Sequence, residues 1–183
     1  MPGFGDINGN ILILGLAPGA HGSNRTGRMF TGDASGDFLY PALYDAGFSS
    51  KMEALSVNDG LKLKNIYISA VCRCAPPDNK PTREEIANCR VFLDSEFILM
   101  KNLVGVVALG KIAFDSALDL IKKQNSIKPT NIPKFGHGKL YFSNDRVRPW
   151  LLASYHPSRQ NTQTGRLTKH MFKEIWEVAK KLL

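Results

Sequence analysis

The chain contains four apolar runs, at residues 11–16, 66–71, 103–109 and 150–155. Their hydrophobicity is continuous rather than alternating, which is typical of strands that are covered on both faces of a sheet. Segments with helical spacing of apolar residues separate the runs. Strand and helix therefore alternate, and this predicts an α/β fold with three layers, α/β/α, around a mostly parallel central sheet of about four strands.

Helix signals lie between the predicted strands. The segment after Ser35 keeps helical spacing until Gly47, although Pro41 predicts that this helix is short or kinked. Thr82 and Glu85 have the spacing of a capping box, which predicts the start of a second helix. Two more helices are predicted at residues 111–123 and 169–183, and residues 124–149, which contain several prolines and glycines, are predicted to be loop with at most one short strand.

Composition narrows the class of protein. With 183 residues, the chain is long enough for one domain with a buried core, and we expect residues 1–183 to form that single domain. No apolar segment approaches the roughly 20 residues that cross a bilayer, and no secretory signal is evident. We therefore expect a cytoplasmic protein, or an organellar one whose targeting segment is already absent, with no membrane partner. The net charge of +8 favours polyanionic partners without establishing one.

A glycine-rich loop follows the first predicted strand. Residues 15–33 read GLAPGAHGSNRTGRMFTGD, with two arginines and one phenylalanine among the glycines. Open α/β sheets place ligand sites in loops at the carboxyl ends of strands. Glycines let the backbone approach a ligand, arginines bind phosphate, and an aromatic ring can stack on a flat base.

A second polar loop follows the last predicted strand. Residues 156–166 read HPSRQNTQTGR. Because both loops leave the same edge of the predicted sheet, they indicate a single cleft. Much of the informative positive charge falls in or beside these two loops, at Arg25, Arg28, Arg159, Arg166 and Lys169.

Three segments, in order along the chain, carry a family resemblance. Residues 15–36 and residues 156–166 resemble the two motifs of the uracil-DNA glycosylase superfamily, most closely its family 5. Residues 74–82, which read CAPPDNKPT, resemble with Cys89 the iron–sulfur portion of families 4 and 5. The resemblance covers almost the whole chain.

The resemblance implies a DNA repair enzyme of base excision. Such a monofunctional hydrolase flips uracil out of DNA, cleaves its N-glycosidic bond and leaves an abasic site. Neither motif offers an evident lysine nucleophile, so we do not expect strand scission. The implied partner is double-stranded or single-stranded DNA containing deaminated bases, the implied state is a monomer, and the implied location is the cytoplasm, at the nucleoid.

Phe30 and His156 are the principal candidates for contact with the flipped base. Phe30 is expected to stack on the base, and its alternative role is that of a core aromatic. Cleavage leaves negative charge on the departing base, and the resemblance places His156 where a hydrogen bond stabilises that anion. The other base-binding residues that the resemblance implies are Gly15, Ala17, Gly19 and Ser69.

The sequence leaves two candidates for the residue that positions the attacking water. Most superfamily members carry an acidic or amide residue in the first motif, and here Ala17 occupies that position, or Leu16 where family 4 has its glutamate. This absence is characteristic of family 5 and weakens simple general-base catalysis. Asn24 is the first candidate and Asp33 the second. Their alternatives are structural: Asn24 as a turn residue, and Asp33 as a partner of Arg28 or of loop amides.

The second loop is predicted to enter DNA. Arg159 and Gln160 lie where the family's loop reaches the minor groove, and they either wedge into the gap left by the flipped base or contact phosphates only. Lys111 opens a predicted helix, whose first N–H groups can bind a phosphate. The predicted DNA contacts are Arg25, Arg28, Lys111, Ser158, Arg159, Gln160 and Arg166.

The strand at residues 66–71 predicts broad base specificity. In families 1 and 4 an asparagine near the end of this strand reads the uracil edge, whereas this chain has Ser69, Ala70 and Val71 there. A site without that hydrogen-bonding partner discriminates less sharply. We therefore expect hypoxanthine to be accepted beside uracil.

The cysteines match a cluster site only in part. Relatives hold a four-iron four-sulfur cluster through four cysteines, of which Cys74 and Cys89 match two and Cys72 is extra. The expected upstream pair is missing, through a late start, a lost first segment or a natural form without a cluster. Such a cluster is structural, and the chemistry needs no cofactor.

The same residues raise two other functions. A non-catalytic module that binds lesions on the same fold stays open, since fold does not fix function. A nucleotide-binding enzyme is disfavoured, because the chain has no GxxxxGK[ST] sequence and residues 15–22 lack GxGxxG spacing.

Overall fold

The computed structural model describes residues 1–125, 133–142 and 149–183. Its strands are β1 (Phe4–Gly5), β2 (Ile11–Gly15), β3 (Ile66–Ala70), β4 (Gly105–Leu109), β5 (Leu140–Tyr141) and β6 (Trp150–Ser154). Its helices are α1 (Ser23–Thr26), α2 (Ala34–Asp45), α3 (Arg83–Leu99), α4 (Lys111–Asn125), α5 (Arg159–Gln163) and α6 (Lys169–Lys181), with a short 3₁₀ turn at Pro77–Asn79. In these ranges, no helix has the length and apolar character needed to span a membrane.

One sheet organises the fold, with strand order β1-β3-β2-β4-β6-β5. The four inner strands are parallel, and the two-residue strands β1 and β5 pair antiparallel at the two edges. The inner strands are the four that the apolar runs predict. The edge strands bring the count to six instead of about four, because pairs of residues are too short to leave a periodic signal.

Helices cover both faces of the sheet. On one face α2 and α6 contribute Leu39, Leu43 and Trp176 to a buried cluster with Ile11 and Ile13. On the other face α3 and α4 contribute Leu93, Phe97 and Phe114 to a cluster with Leu12 and Leu14. Alternate residues of β2 therefore face opposite layers, which explains why its sequence is apolar throughout.

The predicted helices are confirmed with small shifts at their ends. Pro41 lies inside α2 without ending it, and the capping box of Thr82 and Glu85 starts α3. Part of the predicted loop at residues 124–149 lies outside the described residues, and its described part contains the short strand β5. The four- and five-residue helices α1 and α5 are absent from the sequence-based prediction.

Candidate active site

The two motif loops meet at the carboxyl edge of the sheet. Strand β2 lies between β3 and β4. The crossover from β2 leads to β3 on one side of it, and the crossover from β3 leads back to β4 on the other side. At such a reversal, open α/β sheets bind ligands in the space outside the carboxyl ends of the strands. The glycine-rich loop follows β2, Gly110 follows β4, and His156 lies two residues after β6.

Phe30 and His156 are adjacent at this edge of the sheet. Their ring centroids lie 5.8 Å apart with planes inclined by 29°. A Cβ on Gly15 would come within 2.9 Å of the Phe30 ring, so only glycine leaves room for that ring. Phe30 is 7% exposed and belongs to the core cluster, which is its alternative role, and stacking on a base stays a prediction.

Phe30 has a left-handed backbone conformation, with φ at 53°. This conformation is costly for a bulky residue and needs support from its surroundings. The support comes from both neighbours. Tyr40 donates a hydrogen bond to the carbonyl of Met29 over 2.8 Å, and Thr26 donates one to the carbonyl of Thr31 over 3.0 Å.

Arg28 is a structural residue of this loop. Its guanidinium donates to both carboxylate oxygens of Asp59 over 2.8 and 2.5 Å, and its Nε donates to Thr31. Arg28 is 2% exposed. This placement corrects the predicted DNA contact of Arg28, because the charge is enclosed and already neutralised by Asp59.

His156 is held as a neutral imidazole. Burial lowers its pKa to about 4, so the ring is uncharged at neutral pH. The Asn161 amide donates to the His156 carbonyl over 2.8 Å. Gly110 lies against the side chain, since a Cβ there would stand 3.4 Å from the His156 Cβ. A neutral imidazole can donate one hydrogen bond to a developing anion.

The two water candidates differ in their surroundings. One oxygen of Asp33, Oδ1, accepts from the N–H groups of Ser35 and Gly36 and caps α2. The other oxygen, Oδ2, faces the glycine-rich loop, where a Cβ on Gly19 would come within 3.4 Å of it. Asn24 lies in α1 and is exposed, and its N–H donates to the Gly19 carbonyl.

Ser69 and Ala17 contribute less than their positions suggested. The Ser69 hydroxyl is buried and donates to Glu96 of α3 over 2.6 Å, away from Phe30. Only the main chain of Ser69 is therefore left for a base contact. Ala17 packs at the margin of the core cluster on the α3 side, so it offers no polar group to the site.

Five predicted DNA contacts are exposed polar or cationic side chains. Arg25, Lys111, Arg159, Gln160 and Arg166 are all exposed. Lys111 pairs with Asp115 over 2.6 Å across an exposed helix surface. Arg166 lies over the Tyr155 ring, 4.7 Å from its centroid. Ser158 caps α5 by accepting from the Asn161 N–H, which makes its hydroxyl a structural group first.

Comparison with known proteins decides the family. The sequence model of the uracil DNA glycosylase superfamily matches residues 2–180. The chain belongs to this superfamily. It is 52% identical over its whole length to a Type-5 uracil-DNA glycosylase of Thermus thermophilus, of which it covers 80%. It is 47% identical to a Type-5 enzyme of Mycobacterium bovis, of which it covers 66%, just under two thirds. A Type-4 enzyme of Pyrobaculum aerophilum is more distant, at 30% identity over 86% of the chain.

The cysteines of this superfamily member do not complete a cluster site. Cys72 is buried, Cys89 is partly buried and Cys74 is exposed. Burial and the nearby Cys89 raise the pKa of Cys72 to about 11. The part of the chain that the structure describes has no group of three or more His, Cys, Asp or Glu side chains able to hold a metal ion. Three cysteines fall short of the four thiolates that a four-iron cluster needs.

Sequence reasoning missed the residues that support the loops. Asp59, which accepts hydrogen bonds from Arg28, is 31 positions from it in sequence. His137, which accepts a hydrogen bond from the Tyr155 N–H, is 18 positions from Tyr155. Neither residue lies in a motif. Asn161 lies within the second motif, where its own side-chain role carried no separate signal.

Proposed function

We propose that this chain is a uracil-DNA glycosylase that hydrolyses the N-glycosidic bond of uracil in DNA and leaves an abasic site. The observation that carries the proposal is the pair formed by Phe30 and the neutral His156 at the carboxyl edge of the sheet. An aromatic face for a flat base beside a hydrogen-bond donor for its oxygen is what base excision requires. The Type-5 names of the related proteins support the same reaction.

In the proposed reaction the departing base carries the negative charge. His156 donates a hydrogen bond to the base oxygen on which that charge collects. Because the imidazole is already neutral, donation requires no change of protonation state at neutral pH. One well-placed donor of this kind is worth about 3 kcal/mol, or roughly 100-fold in rate.

The attacking water is proposed to bind near Asp33. Its Oδ2 has no hydrogen-bond partner among the described residues, while Oδ1 is fixed by the cap of α2. A carboxylate held by one oxygen can orient water with the other. Asn24 is the competing candidate. The variants Asp33→Asn and Asn24→Ala distinguish the two candidates. Substitution of the residue that orients the water lowers the single-turnover rate without weakening DNA binding.

The proposed substrate range includes hypoxanthine. The end of β3 offers no amide side chain, and the Ser69 hydroxyl is engaged by Glu96. With no side chain at this position to reject the larger base, uracil and hypoxanthine are released at comparable rates. Release of uracil alone from matched oligonucleotides excludes this part of the proposal.

The deciding experiment is single-turnover base release from a duplex with one uracil, beside the variant His156→Ala. Release by the intact chain, slowed about 100-fold or more in the variant, supports the enzyme. The product is an abasic site that breaks only on alkaline treatment. Tight binding of the uracil duplex with no release identifies a non-catalytic lesion-binding module instead. The same assay on single-stranded DNA establishes which form of DNA is used.

A further inference from the structure

His137 touches the chain at the point where it leaves β6. Its Nδ1 accepts a hydrogen bond from the N–H of Tyr155 over 3.1 Å. Its Nε2 lies 3.3 Å from the carbonyl oxygen of Met171 in α6. The imidazole therefore bridges the residue before His156 and a helix on the α2 and α6 side of the sheet.

These contacts fix the tautomer of His137. A backbone N–H can only donate, so Nδ1 must be the unprotonated acceptor. A carbonyl oxygen can only accept, so Nε2 carries the proton. Burial lowers the pKa of His137, which favours this neutral ring.

The backbone of each residue from Ser154 to His156, where the chain leaves β6, makes a hydrogen bond. The Gly110 N–H donates to the Ser154 carbonyl over 2.8 Å, which ends the strand. His137 accepts from the next N–H, that of Tyr155, and the amide of Asn161 donates to the His156 carbonyl. Without His137, the Tyr155 N–H has no protein acceptor among the described residues.

The Tyr155 ring is fixed as well as its backbone. It stacks on the His137 ring with centroids 5.1 Å apart and planes inclined by 24°. The Arg166 guanidinium covers Tyr155 at 4.7 Å. Arg166 is exposed in the second motif, whereas His137 and Tyr155 are partly buried, so the Tyr155 ring links His137 to the surface predicted to meet DNA.

We propose that His137 is a positioning residue for base release, which sets the direction of His156 by accepting the Tyr155 N–H through Nδ1. The proposal rests on the proposed function for its kinetic consequence. His137 touches neither base nor water. It acts through the backbone of Tyr155, the residue that precedes His156. A misplacement of about 1 Å in a catalytic group can cost roughly 100-fold in rate.

Two substitutions separate the two contacts of the ring. In His137→Asn the amide oxygen takes the position of Nδ1 and keeps the acceptor for Tyr155. In His137→Gln the amide nitrogen takes the position of Nε2 and keeps the donor for Met171. Each variant loses one hydrogen bond, so we expect similar falls in the unfolding midpoint. His137→Gln is expected to lower the single-turnover rate at least 10-fold, whereas His137→Asn stays within about 3-fold.

The kinetic readout is the maximal single-turnover rate at saturating enzyme, with the Kd for the uracil duplex measured in parallel. His170→Gln is the control, because His170 is an exposed histidine of α6 with no part in the exit from β6. Equal losses in His137→Asn and His137→Gln, or no loss in either, overturn the proposal. A loss of DNA binding with an unchanged rate overturns it too.

A second readout does not depend on catalysis. The His156 ring signals in the NMR spectrum, assigned with His156→Ala, report the surroundings of that imidazole. His137→Gln is expected to move them, while His137→Asn leaves them near the parent positions. If the intact chain releases no uracil, the proposed function fails, and this pattern alone decides the role of His137. Signals that stay in place in both variants overturn it.

Discussion

His156 shows how surroundings decide what one side chain can do. A histidine in water is partly protonated near pH 6.5, but burial lowers the pKa of this one to about 4. A protonated ring would bring a full charge into the site, whereas the neutral ring brings a single oriented donor. The sequence predicts His156 as a site residue, but its protonation state depends on burial, which cannot be read from the sequence.

The pKa of His156 is a direct test at the residue scale. We expect its ring signals in an NMR titration to keep their neutral positions from pH 8 to about pH 5 and to change near pH 4. Between about 6.5 and 4 the unfolded chain binds the proton first, so this histidine lowers stability as pH falls through that window. A midpoint near 6.5 contradicts the buried neutral state.

Gly110 offers a second test at this scale. Its φ of 96° is unfavourable for residues with a side chain, and a Cβ there would be in contact with the His156 Cβ, at 3.4 Å. Gly110→Ala should lose about 1–2 kcal/mol of stability and slow base release. Gly165→Ala is the matched control, because Gly165 also has a positive φ, at 72°, but nothing within 4 Å of its Cβ. We expect Gly165→Ala to lose a similar amount of stability and to release the base at the rate of the parent chain.

At the element scale, the glycine-rich loop is held by partners outside its own sequence. Asp59 accepts from Arg28 and from the N–H groups of Leu55 and Leu61. One carboxylate therefore joins the segment before β3 to the loop that carries Phe30. The two motifs were predictable from local sequence, but this attachment was not. Charge alone could not tell whether Arg28 faces DNA or an internal partner.

Asp59→Asn tests that attachment. The Arg28 guanidinium holds the pKa of Asp59 well below its usual range. This carboxylate therefore stabilises the fold above about pH 4, and the contribution is lost as pH falls towards its folded pKa. Removing one partner of a buried pair costs about 3–5 kcal/mol. We expect Asp59→Asn to lower the free energy of unfolding by this order at pH 7 and to slow base release. Glu177→Gln, which breaks an exposed pair with Lys173, should change stability by less than about 1 kcal/mol.

At the scale of the whole molecule, the sheet order brings distant motifs together. The inner strands were predictable, because continuous apolar runs are a strong signal for buried parallel strands. The order of those strands was not, since it depends on which side of β2 each crossover takes. That order places Gly15, Gly110 and His156 at one edge, although they are far apart in sequence.

Salt dependence tests the DNA surface as a whole. The net charge of +8 and the exposed arginines of the second motif predict binding that weakens linearly in a plot of log Kd against log salt. Arg159→Ala and Arg166→Ala should each reduce the slope by about one. Lys173→Ala removes an equal charge from α6, where no DNA contact is predicted, and should leave the slope unchanged. Equal slopes in all three variants contradict the predicted surface.

The two short edge strands also bear on how copies of the chain meet one another. An uncovered edge of a parallel sheet offers a row of free N–H and carbonyl groups on which a second molecule can add a strand. Here the edge strands β1 and β5 are each two residues long and pair antiparallel to their neighbours. Strand addition then gains little from either side, and concentrated solutions of the folded chain should resist ordered aggregation through the sheet.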